Sequence, residues 1–163
     1  MKIIAAVCLA VSLSLAFQPN PTPNHDPNLQ PNAWLTGGTW TAEFKTPEGN
    51  PFLIQNEIRW ADTGAAISFL TRFNGQPHYY GIYVYDPAAK QIKFFYTSAD
   101  GEFTSGLATP SATALHQQFQ ISNAEGTKTF SSTIQRVGED GYNFDVFQEG
   151  SDKPVLSLKY QRK

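Results

Sequence analysis

The chain has 163 residues, a formal net charge of −2, a single cysteine and 13% aromatic residues. That length suits one domain with an ordinary hydrophobic core. So weak an acidic balance, without clustered Lys or Arg, excludes an electrostatic footprint for nucleic acid or an anionic membrane.

The first element is a leader. Lys2 supplies a short positive region, residues 3–16 (IIAAVCLAVSLSLA) are uncharged and apolar, and Ser14 and Ala16 fit the small-residue positions of a signal peptidase site. The run is too short for a membrane span. Cleavage after Ala16 predicts a secreted or periplasmic protein beginning at Phe17, with no membrane insertion. It also removes Cys8, so the mature chain has neither disulfide nor thiol, and it leaves 11 basic residues against 14 acidic, a charge of −3.

Residues 17–33 (FQPNPTPNHDPNLQPNA) repeat Pro-Asn every four positions. Proline fixes φ and removes donors, so this stretch is expected to be a disordered, extended tether. His25 and Asp26 lie within it without preorganised partners for a metal.

The third unit, residues 34–163, is a series of short alternating runs: 39–46, 52–61, 65–73, 77–85, 90–98, 102–109, 114–122, 127–137, 141–149 and 154–161. Each is rich in Phe, Tyr, Ile, Val and Thr, as strands prefer. Tight, regular connections predict an all-β antiparallel meander of about ten strands that closes into an up-and-down β-barrel.

Asn74-Gly75 and Asp100-Gly101 are type I′ hairpin signals. Taken as two-residue turns, they pair Phe73 with Gln76, hence Phe69 with Tyr80, and Ala99 with Glu102, hence Tyr96 with Ser105. If Val84 pairs with Ile92, Tyr80 lies beside Tyr96. Strand side chains alternate. The interior is then predicted to hold Ile67, Phe69, Thr71, Phe73, His78, Tyr80, Ile82, Val84, Ile92, Phe94, Tyr96, Ser98, Phe103, Ser105 and Leu107. Leu115, Gln117, Phe119, Phe130, Ser132, Ile134, Tyr142, Phe144 and Val146 follow from the later strands. Arg72 and Lys93 face outward, and Tyr79, Tyr83, Tyr85 and Phe95 form an outer aromatic patch, suited to a partner or a second copy unless the tether or a terminal strand covers it.

The opening "WLTGGTWTAEF" (34–44) resembles that of lipocalin-like calycin domains, in which a Gly-x-Trp lays its indole across the barrel floor; Gly38-Thr39-Trp40 fits that pattern. The run "GIYVYDPAAKQIKFFYTSADGEFTSG" (81–106) is similar to secreted bacterial lipocalin-like domains of unknown function, distantly nitrobindin-like. The resemblance implies a barrel of the lipocalin and fatty-acid-binding-protein type with a cavity and, in a few relatives, a bound haem or hydrophobic small molecule. It departs from the nitrobindin pattern at the haem ligand, a late histidine there; this chain has none after His116, itself on the outward parity, so no haem is expected.

Polar groups at inward parity either satisfy one another in a filled core or line a wet cavity with an apolar wall. A ten-strand barrel is wider than side chains alone just fill, which favours the cavity. Its predicted ligand-binding set is Trp40, Asn56, Phe69, Thr71, His78, Tyr80, Phe94, Tyr96, Ser105 and Gln117, around a small hydrophobic or amphipathic molecule. His78 is the most versatile of them, yet no carboxylate is placed to make it a base, and it reads better as a half-solvated rim residue packed on Phe73. A solidly packed interaction module is the alternative, and an isomerase or hydrolase stands third because no acid–base pair is visible.

Overall fold

Hairpin turns and one irregularity decide which side chains enter the barrel. The computed structural model describes residues 24–163; the expected leader and residues 17–23 of the expected tether lie outside them. Ten antiparallel strands follow one another around a closed barrel: β1 Thr39–Lys45, β2 Pro51–Trp60, β3 Ala66–Phe73, β4 Gln76–Asp86, β5 Gln91–Ser98, β6 Phe103–Pro110, β7 Ala114–Asn123, β8 Gly126–Val137, β9 Gly141–Gln148 and β10 Leu156–Arg162. The architecture is the up-and-down barrel that the alternating runs predict. Closure between β1 and β10 rests on two residue pairs, Trp40 with Arg162 and Thr41 with Gln161.

The Asn74-Gly75 turn forms with both residues at positive φ (48° and 83°) and pairs Phe73 with Gln76 as expected. The register then shifts. Arg72 opposes Pro77, but Thr71 opposes Tyr79, leaving His78 as the extra residue of a β-bulge. Proline cannot donate to the ladder and is tolerated within sheets at such interruptions, and one added residue turns every later side chain to the other face. Tyr79, Gly81, Tyr83 and Tyr85 therefore point inward, and Tyr80, Ile82 and Val84 outward, the reverse of the sequence expectation. The β4–β5 register is displaced to match: Val84 pairs with Lys93 and Tyr80 with Thr97, not Tyr96. The two displacements cancel, so β5 keeps its predicted faces.

A second correction arises at Asp100-Gly101. Asp100 does not take the positive φ that a type I′ turn needs; Gly101 alone does (84°), with the Gly101 N–H on the Ser98 carbonyl at 3.1 Å and the Ser98 N–H on the Glu102 carbonyl at 3.0 Å. This is the longer turn with a glycine bulge. Thr97 then pairs with Phe103 and Tyr96 with Thr104, so Thr104, Gly106 and Ala108 face inward while Phe103, Ser105 and Leu107 face outward.

Elsewhere the predicted faces are those of the structure. Phe94 is buried and Phe69 half-buried inside, whereas Arg72 and Lys93 lie outside on Glu57 and Asp86, each at 2.6 Å.

Residues 24–33 are not an extended tether in the structure. They turn into a short 3₁₀ helix, Gln30–Leu35, that covers one end of the barrel. Pro31 sits in its first turn, where a missing N–H is harmless, and Leu29 and Leu35 are buried as anchors. The Asp26 N–H bonds the Gly64 carbonyl at 2.9 Å, and the His25 ring stacks on Trp60 at 4.1 Å.

Beneath this cap lies Trp40, the floor residue that the Gly-x-Trp pattern predicts. It is fully buried, its Nε1 donates to the Leu35 carbonyl at 2.7 Å, and the Arg162 guanidinium lies 4.3 Å over its ring. Arg162 Nη2 also donates to the Trp34 carbonyl at 2.6 Å, tying the last strand to the cap.

Candidate functional site

The middle of the barrel is not filled. A cavity of about 180 Å³ is bounded by inward side chains of β2 to β5 and β7 to β10. Two inward glycines shape its wall. Over Gly81 the rings of Phe69 and Tyr96, from β3 and β5, meet edge-to-face at 5.7 Å; over Gly106 those of Phe94 and Phe119, from β5 and β7, meet at 5.9 Å. A Cβ at either position would collide with these neighbours, so glycine is what lets the rings lean across the intervening strand.

Six of the ten predicted ligand-binding residues line this cavity: Asn56, Phe69, Thr71, Phe94, Tyr96 and Gln117. Trp40 lies below it in the floor. His78 sits in the bulge beside the wall, stacked on Phe73 at 4.1 Å, with its Nε2 3.8 Å from an Asp100 carboxylate oxygen. Tyr80 and Ser105 are on the outer surface for the register reasons given above. Tyr80, Phe95 and Phe103 (57%, 41% and 48% exposed) supply the outer aromatic side chains, in place of the expected Tyr79, Tyr83 and Tyr85.

Sequence reasoning missed Tyr79 and Tyr83 in the wall and assigned no face to Tyr160. Pro77 inside a strand, followed by aromatics at every second position around a glycine, was the available signal.

The polar part of the wall is an ordered relay. Ser132 Oγ donates to Gln117 Oε1 at 2.6 Å, and Gln117 Nε2 donates to the Tyr83 hydroxyl oxygen at 2.8 Å. On the other side Thr71 Oγ1 donates to Asn56 Oδ1 at 3.3 Å.

Burial pushes the Tyr79 hydroxyl up to about 12, with Tyr96 and Glu102 adding to the rise. Burial likewise raises Tyr83, Tyr96, Tyr142 and Tyr160, the Gln117 hydrogen bond offsetting it only in part at Tyr83. These hydroxyls stay protonated and neutral at ordinary pH. An unfolded tyrosine ionises near pH 10. Above that pH the folded state binds more protons than the unfolded one, so their stabilising effect is complete below about pH 10 and lost as pH rises through the higher folded values. Chemical denaturation repeated at increasing pH should show the midpoint falling from about pH 10 upward, with tyrosinate absorbance appearing late; a flat midpoint would contradict the burial of these groups.

No histidine lines the cavity. His25 stacks at the capped end, His78 stands beside the wall, and His116 faces outward with Nδ1 3.2 Å from the Thr133 hydroxyl. A haem anchored on an axial imidazole does not fit this wall. Among the described residues no cluster of three metal-ligating side chains occurs.

No family model and no curated protein matches the chain. Solved structures do. The crystal structure of Rv2717c from M. tuberculosis aligns with a TM-score of 0.53 at 15% identity, over 86% of this chain and 99% of that one. A de novo designed fluorescence-activating β-barrel aligns over 80% of this chain and 97% of its own at 18% identity, with a TM-score of 0.37. At such identity the first likeness bears on the fold alone.

Proposed function

We propose that this chain is an exported, lipocalin-like barrel that holds a small apolar or amphipathic molecule in its interior. The observation that carries the reading is the cavity: an aromatic wall with a few neutral, directionally bonded polar groups, the composition typical of ligand sites. The capped floor supports it, since Trp40 and the 3₁₀ segment close one end and leave the interior a blind pocket. The carboxylate–imidazole contact that the sequence did not predict, Asp100 with His78 at 3.8 Å, stands beside the wall and not among the described lining residues.

Native mass spectrometry of the protein purified from its own host tests the proposal. A retained mass released on denaturation is expected; bare protein that also fails to bind any apolar dye would refute it. Export is the other half of the reading and rests on the leader pattern. N-terminal sequencing of the protein from its host should begin at Phe17, and recovery of Met1 from the soluble cytoplasm would reject it.

A further inference from the structure

Resting on that ligand-binding reading, we infer that the cavity selects a small, uncharged, planar aromatic molecule with a hydrogen-bond acceptor, which receives the proton of the Tyr83 hydroxyl. Three observations converge on this class.

The first is the wall. Ten of its eighteen lining side chains are aromatic. They already meet one another edge-to-face, Tyr79 with Tyr96 at 5.3 Å and Phe69 with Tyr96 at 5.7 Å. Such a lining presents both ring faces and ring edges, the two surfaces against which another flat ring packs best. The space of about 180 Å³ is of the order that admits a single-ring guest.

The second is charge. Among the described lining residues none is acidic, basic or histidine. At the capped end Arg162 lies beneath the floor, over Trp40 and on the Trp34 carbonyl, and Arg136 lies over the Trp34 ring. A fatty-acid carboxylate or an ammonium entering this cavity would lose its water and find no counter-charge, which strongly disfavours it.

The third is direction. In the Ser132–Gln117–Tyr83 relay the Ser132 hydroxyl donates to Gln117 and one N–H of Gln117 to Tyr83, and the last hydroxyl, accepting from Gln117, keeps its own proton to give. The unpaired capacity at the end of the relay is thus a donor. It calls for a carbonyl, an ether or a ring nitrogen on the guest. Because the buried phenols hold their protons, this recognition is expected to be constant from mildly acid to mildly alkaline pH.

Four probes of similar size separate the elements of the inference: acetophenone (ring and acceptor), ethylbenzene (ring only), cyclohexyl methyl ketone (acceptor only) and octanoate (aliphatic carboxylate). Calorimetric titration of the full barrel should rank acetophenone first, with ethylbenzene and the cyclohexyl ketone each roughly five-fold weaker and octanoate weaker by more than about ten-fold. In Tyr83→Phe the preference for acetophenone over ethylbenzene should vanish; being a ratio on one protein, it is insensitive to a partial loss of folded material. Tight octanoate binding without acetophenone binding overturns this inference but leaves the ligand-binding reading standing. An unchanged ratio in Tyr83→Phe overturns the role of the relay. If none of the four binds and the host-purified protein carries no retained mass, both fall together.

Discussion

Replacing Trp40 by alanine should lower the unfolding free energy by about 4 kcal/mol, a large share of the roughly 5–15 kcal/mol that holds a domain of this kind together. The ring is completely buried between the cap and the barrel, edge-on to Trp34 at 6.4 Å and Tyr142 at 4.8 Å. Its removal leaves a void at the closed end, takes the donor from the Leu35 carbonyl, and strips the Arg162 guanidinium of the face it covers. These losses share partners and compound one another. Urea denaturation should show a lower midpoint at an unchanged slope. Trp40→Phe, which keeps most of the volume but not the hydrogen bond, should lie between the two. A Trp40→Ala barrel within about 1 kcal/mol of the parent would mean that the floor does not stabilise the fold.

The second large effect is expected at Gly106. A Cβ there would stand 2.6 Å from Phe119 Cβ and 2.8 Å from Phe119 Cα, and would press on the Gln118 carbonyl oxygen. These are atoms of the adjacent strand, and no flexible side-chain end can move aside. Gly106→Ala should therefore part β6 from β7 and disturb the Phe94–Phe119 contact, destabilising by about 2–3 kcal/mol although the same change at an unstrained site stabilises slightly. Ser105→Ala, one residue away on the outer face, should stay within about 0.5 kcal/mol of the parent. Equal midpoints for the two variants would show that the strand spacing is not set by this glycine.

The pattern of these residues also shows what the sequence could and could not reveal. In β3, β5 and β7 to β9 most large apolar side chains fall on the inward parity, with Leu70, Phe95 and Phe147 as exceptions, so the faces were legible, and with them Phe69, Thr71, Phe94, Tyr96 and Gln117 of the wall, as was Asn56 in β2. In β4 both parities are apolar: Tyr79, Tyr83 and Tyr85 against Ile82 and Val84. Composition cannot choose between them, and the choice falls to a bulge. In β6 the usual signal is inverted. The small residues Thr104, Gly106 and Ala108 go inside, where neighbouring rings already fill the space, and Phe103 and Leu107 remain on the surface. A barrel interior alternates large with small across strands, which no single strand displays. The cap at residues 24–35 was hidden by its prolines, because the few apolar side chains that dock it carry no periodicity.

The two-pair closure gives this ring a clasp. Thr41 is the last residue of β1 bonded to β10, and residues 42–45 pair with β2, whereas β10 shares six pairs with β9. Springing the barrel into an open sheet thus requires the loss of far fewer ladder bonds here than at its neighbour; the clasp is supplemented by the Lys163 N–H on the Thr39 carbonyl, the Thr41 hydroxyl on the Gln161 carbonyl and Arg162 against Trp40. Leu156 and Leu158 of β10 belong to the cavity wall, so parting β10 from β1 would reach the pocket from its side. Backbone amides of Thr41 and Gln161 should then exchange with solvent sooner than those of Phe94 and Phe119.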